Sequence, residues 1–188
     1  MATIAIVYHS GYGHTARVAE HVRIGALRVD GITAVLMPVD QPDWPALDAA
    51  DAIIFGSPTY MGGASWQFKK FADASSKAWY TRAWQDKVFG GFTNSASPSG
   101  DKQVSLIQMQ TLASQHGGIW VSLGLMPSNT LNASRNDVNN LGGSVGLMVH
   151  AHEAVPDLAA LAASTAQPLL EPRRECGQGE VDQIGRAH

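Results

Sequence analysis

Short unbroken apolar runs alternate along this chain with stretches whose apolar residues recur at helical spacing. Residues 3–7 form the first run and read as a strand buried on both faces. Ala16, Ala19, Val22, Ala26 and Val29 follow at spacings of three and four, a helix with one apolar stripe. Asp30-Gly31 marks a turn, and residues 32–37 read as a second strand. Residues 38–45, with Trp44, read as a loop. Asp51 introduces a third strand at 52–56, which runs into the Gly/Pro-rich stretch 57–63. Ser65 suits a helix N-cap, with Phe68, Phe71 and Ala72 on that helix's inner face. Residues 88–92 read as a fourth strand, 103–115 as a helix and 119–123 as a fifth strand. After Leu125 the period fades. Residues 127–146 are rich in Asn, Ser and Gly, 156–170 read as a closing Ala/Leu-rich helix, and 171–188 as a poorly ordered polar tail.

Strands that alternate with helices at this spacing predict βαβ units and a parallel sheet with helices on both faces. Five strands in so short a span predict a doubly wound sheet of order 2-1-3-4-5. No repeat or linker divides the chain, so residues 1–170 are expected to form a single domain.

Candidate chemistry begins where the first strand meets the first helix: Ser10-Gly11-Tyr12-Gly13-His14-Thr15. Three readings fit. The glycines can simply serve a tight turn. Gly11-x-Gly13-x-x-Ala16 also fits a dinucleotide fingerprint with alanine last. Or the turn is a phosphate cradle, in which the unpaired N–H groups of the first helical turn and the hydroxyls of Ser10 and Thr15 meet an anion. In a sheet of this order ligands bind beyond the carboxyl ends of the first and third strands. Residues 58–63 and 93–100 reach the same edge, and both are rich in Gly or hydroxyl residues and lack carboxylates. Their convergence argues against the plain turn. The dinucleotide reading wants a carboxylate at the end of the second strand, but Asp30 precedes that strand and Asp40 lies beyond Pro38.

Composition narrows the class further. With 45% hydrophobic residues the chain can bury a proper core. A net charge of −3 and a pI of about 6.1 give no basic face for nucleic acid. Neither a leader pattern nor a membrane-length apolar run is visible, so the cytoplasm is the expected compartment. Cys176 is alone, which excludes a disulfide framework or a CxxC metal site. His150-x-His152 has no third ligand nearby, and no metal is expected. Trp66, Trp84 and Trp120 read as core or interface aromatics.

Ser10-Gly-Tyr-Gly-His-Thr15, Gly56-Ser-Pro-Thr-Tyr-Met-Gly62, residues 93–100 and Thr111-Leu-Ala…His116-Gly117 together resemble the FMN-binding motifs of the flavodoxin-like NAD(P)H:quinone oxidoreductases, the WrbA or tryptophan-repressor-binding-protein type. The likeness covers roughly residues 1–150, with four motifs in the right order. It implies a flavodoxin-like fold, FMN as cofactor, NAD(P)H as co-substrate, a quinone or related acceptor, and a homodimer or homotetramer. By the same resemblance Ser10, Gly11, Tyr12, Gly13, His14 and Thr15 would hold the FMN phosphate. Pro58, Thr59, Tyr60, Met61 and Gly62 would flank the isoalloxazine ring. Thr93, Asn94, Ser95, Ala96, Ser97 and Gly100 would meet its pyrimidine edge and the ribityl chain. His116 matches a histidine that approaches the pyrimidine end, often from a neighbouring subunit, and is the expected catalytic residue. Trp79 and Tyr12 match substrate-side aromatics. On position alone, His116 beside Gly117 also fits a helix C-terminal residue favoured by the dipole.

The expected activity is hydride transfer from NAD(P)H to a quinone through FMN, one substrate after the other over one ring face. The alternative is a flavodoxin-like electron carrier with no substrate of its own. Such carriers are commonly acidic, and this chain is nearly neutral. A DNA-associated role has no support in charge or motif.

Overall fold

A computed structural model describes residues 1–151. The closing helix, His152, Cys176 and the polar tail expected over 152–188 lie outside the described residues. The elements run β1 (Ala2–Tyr8), α1 (His14–Ala26), β2 (Ile32–Pro38), α2 (Trp44–Ala49), β3 (Ala52–Tyr60), β4 (Gly63–Ala64), α3 (Trp66–Ala74), α4 (Ser76–Thr81), β5 (Val88–Ser95), α5 (Lys102–Gln115), β6 (Ile119–Trp120) and β7 (Leu147–His150).

The main sheet has the order β2-β1-β3-β5-β6, all neighbours parallel. Apart from the short antiparallel β4, this is the expected 2-1-3-4-5 flavodoxin-like arrangement. Successive residues of β1 feed opposite layers, because side chains alternate across a strand. Ile4 and Ile6 pack with Val18 and Val22 of α1, while Ala5 and Val7 join Phe68, Phe71, Trp84 and Leu106 on the other face. Both layers being buried explains why the strands read as continuous apolar runs. None of the helices among the described residues is long and apolar enough to cross a membrane.

Four local readings need correction. Residues 43–49 hold a helix, not the end of a loop. The Asp43 side chain caps it by accepting from Ala46 N–H at 3.0 Å, and a proline sits in its first turn. Six residues are too few to show a period. The stretch 57–63 continues β3 to Tyr60 and turns back as a hairpin, with Met61 at φ 48°. Strand β5 likewise runs on to Ser95. The fifth strand is not continuous over 119–123. It holds only Ile119 and Trp120, and the chain departs and returns as β7 beside the upper half of β5. Trp120 Nε1–H donates to Val145 O at 2.8 Å, tying the two ends of the excursion.

Candidate functional site

Parallel pairing puts the ends of β1, β3 and β5 at one edge, and the three expected loops meet there. The first is shaped as an anion cradle. Gly13, at φ 87°, caps α1 in the left-handed region that a side chain disfavours. The Ser10 hydroxyl oxygen accepts from Ala16 N–H at 3.1 Å, which turns its own proton away from the helix. The backbone N–H groups of Gly11 to Thr15 have no acceptor among the described residues. There is no acidic residue in the first turn of α1. Neutral donors gathered at a helix N-terminus fit a phosphate monoester.

Thr15 is placed differently from a simple ligand. It is 2% exposed, and its hydroxyl donates to Asn94 Oδ1 at 2.7 Å. Its side chain therefore ties the first loop to the third loop. Thr59 and Thr93 are also buried. The Thr93 hydroxyl donates to Ser57 O at 2.7 Å, so Thr59 donates to Thr93 and Ser105 donates to Thr59, each at 2.8 Å. One proton per hydroxyl fixes that direction. The chain of hydroxyls pins α5 and the ends of β3 and β5 together. Tyr12, His14, Met61, Ala96 and Ser97 are exposed at the same edge. Tyr12 and Tyr60 form an edge-to-face pair, centroids 6.3 Å apart. His9 is buried beside them, its Nδ1 without a partner among the described residues. Burial holds its pKa below the usual value, against the pull of Asp40.

Lys102, which the sequence reading did not single out, and His150, weighed there only as half of a metal-spaced pair, anchor the third loop. Lys102 donates to Ser95 Oγ, Ser97 O and Pro98 O at 2.7, 2.6 and 3.1 Å. His150 Nε2–H donates to Ala96 O at 2.6 Å. Gly100 completes the wrap, since a Cβ there would lie 2.1 Å from Ser95 Oγ. A cation in the first turn of a helix, against the dipole, was the available signal for Lys102.

The structure does not bring His116 to this edge. Helix α5 leaves the third loop at Lys102 and carries its C-cap His116 about 20 Å away along its axis. There His116 is buried against Trp84, centroids 4.3 Å apart. The Ser75 hydroxyl gives its proton to Ala72 O at 2.7 Å, so His116 Nε2–H donates to Ser75 at 2.9 Å. Trp79, half exposed, follows on α4, whose first turn joins the same Ser75. Both residues thus lie at the far end of the sheet from Ser10, and within one chain they form no site with it.

Burial pushes the His116 imidazole down from 6.5 to about 4, with Asp48 opposing. Between those values the folded chain binds fewer protons than the unfolded one. Stability present above pH 6.5 is therefore lost as pH falls toward 4, by about 3 kcal/mol for the full shift. His116→Phe keeps a ring against Trp84 and removes the titration. Melting curves from pH 7 to 4 are expected to fall less steeply for this variant than for the native chain; parallel curves would contradict a buried neutral imidazole.

A groove of about 1170 Å³ runs between α3 and α5, lined by Phe68, Ala72, Ile107 and Leu112. It reaches Pro98 and Ser99 but not the cradle at residues 10–15.

A doubly wound sheet of this order, with unpaired N–H donors gathered at its switch point, is a flavodoxin-like architecture. The comparisons agree. Residues 44–130 match the family model described as NADPH-dependent FMN reductase. The chain is 59% identical over 155 residues to Flavodoxin FldP of Pseudomonas aeruginosa, covering 79% of this chain and 81% of that one. It is 33% identical to Quinone-oxidoreductase QR2 of Triphysaria versicolor, covering 66% and 71%. A crystal structure of a flavodoxin, WrbA-like protein from Agrobacterium tumefaciens superposes with a TM-score of 0.71 at 48% identity, covering 89% and 94%. The chain belongs to the flavodoxin-like family of FMN-dependent NAD(P)H:quinone oxidoreductases.

Proposed function

We propose that this protein passes a hydride from NADH or NADPH to a quinone-type acceptor, the two substrates using one face of FMN in turn. The observation that carries the reading is the charge of the ring-side loops. Residues 58–62 and 93–100 contain no carboxylate. An electron carrier that docks basic partners wants acidic groups around its flavin; a site for flat, neutral acceptors does not. FMN supplies the hydride acceptance and return. The protein's part is to hold and shield it. Ser10 and the N–H groups of residues 11–15 take the phosphate. Pro58, Thr59, Tyr60, Met61 and Gly62 flank the ring, and residues 93–100 meet its pyrimidine edge. Tyr12, paired with Tyr60, offers an aromatic surface for the nicotinamide nucleotide.

His116 has no part in this reading, because it is buried at the other end of α5. Trp79, exposed at that end, is available to substrate only at the site of a second copy. A homodimer or homotetramer therefore belongs to the proposal, as does a cytoplasmic location, where reduced nicotinamide nucleotides are made. A second reading, a carrier without its own substrate, is favoured by the 59% identity to a relative named flavodoxin. Steady-state oxidation of NADH and NADPH with benzoquinone separates the two. Turnover in the usual enzymic range of about 1–10³ per second is expected with at least one nucleotide. Oxidation of neither by FMN-loaded protein would leave the carrier.

A further inference from the structure

Lys102 is 1% exposed, yet it is a cation with no anionic partner among the described residues. Among the described residues the ion pairs are Arg23–Glu20 and Lys69–Asp73. All three ammonium protons are used, and every acceptor is a neutral oxygen of the loop at 95–98. Burial lowers its pKa with nothing opposing. Its place at the start of the 14-residue α5 sets it against the positive end of the helix dipole. Desolvation, the missing counter-charge and the dipole all disfavour an ammonium here. A neutral donor would hold the loop without those penalties.

The same contacts orient the loop. A trans peptide sets its N–H opposite its carbonyl. Pro98 O points at the ammonium, so Ser99 N–H faces away from it. Ala96 O points at His150, so Ser97 N–H faces away from that ring. Neither N–H has an acceptor among the described residues. The loop thus turns carbonyls inward to a buried positive charge and two unpaired donors outward. Such a surface suits a ligand that gains negative charge.

We propose that Lys102 is a positioning residue that makes the 93–100 loop electropositive and so favours reduced, anionic FMN over oxidised FMN. The proposal rests on the reading that this loop receives the flavin's pyrimidine edge. It assigns Lys102 to the pyrimidine end that the resemblance had given to His116. Because its protons are all committed, Lys102 acts through the loop and its charge, without touching the cofactor.

Dissociation constants for oxidised and for anaerobically reduced FMN test it, in the native chain, Lys102→Met and Lys102→Arg, with melting curves for each. Native protein is expected to bind reduced FMN at least as tightly as oxidised. Lys102→Met should weaken the reduced form about tenfold more than the oxidised form, the order of one partly screened charge. Lys102→Arg, which keeps the charge, should preserve the native ratio within about threefold. If Lys102→Met weakens both forms equally, or neither, Lys102 only braces the loop and the proposal fails. Native protein that binds reduced FMN about tenfold more weakly than oxidised overturns it without any variant, even should Lys102→Met not fold. Native protein that binds no FMN at all removes the flavin site itself, a different result from the loss of the Lys102 effect.

Discussion

Ser10→Asp is expected to weaken FMN binding about a thousandfold while leaving the fold intact. In the native chain Ser10 Oγ accepts from Ala16 N–H at the start of α1 and has its proton free for the cradle. Aspartate caps a helix as well as serine does, so the bond to Ala16 survives and α1 gains a favourable charge at its N-terminus. That carboxylate then occupies the potential meant for phosphate. Two like charges about 4 Å apart repel by about 4 kcal/mol at an effective dielectric near 20, or about three decades in affinity. Fluorescence titration with FMN reads the loss, and a melting curve shows that apo protein is as stable as the native chain or more so. Retained affinity would mean that the phosphate rests elsewhere, and the cradle would no longer explain the site.

Trp84→Ala is the largest stability change expected. Trp84 is fully buried at the far end of the sheet from the cradle. Its ring lies against Phe71, Phe89, Trp44 and His116, and its Nε1–H donates to Asp48 Oδ1 at 2.8 Å. Truncation empties a volume that the parallel sheet cannot close, at a cost of about 3–5 kcal/mol. For a domain of this size that lowers Tm by roughly 6–20 °C. His116 would gain access to water, and its pKa should rise toward the usual value. FMN affinity, read at low temperature where the variant is folded, should stay within about twofold of native. A large loss of affinity with the fold intact would show that the Trp84–His116 end communicates with the cofactor edge after all.

The contrast between these two ends marks what was legible in advance. Strands β1 and β3 could be read because both their faces are buried, which leaves an unbroken apolar run. The cradle could be read because its parts are adjacent in the chain: strand end, glycines, hydroxyls, helix start. The six-residue α2 and α4 were missed because neither is long enough to show a period, though Asp43 and the following proline marked the first of them. The split fifth strand was missed because Leu147–His150 is recognisable only beside β5.

Residue roles divided along the same line. Ser10 to Thr15 take their shape from local backbone geometry, and a motif conveys that. His116 and Lys102 sit at opposite ends of one helix, and spacing along the chain says nothing about which end faces the ligand. His116 stands beside a helix-ending glycine and looks available; packing against Trp84 and Ser75 buries it. Lys102 looks like an ordinary surface lysine; the wrap of residues 95–100 makes it a buried cation under the site. The amino-acid order by itself determined the doubly wound sheet, the edge where its loops converge and the glycine turn that opens α1, because these follow from local periodicity and from the chirality of βαβ units. Only the tertiary structure decided which charged and aromatic groups surround that edge, because burial and long-range hydrogen bonding are set by which elements pack together.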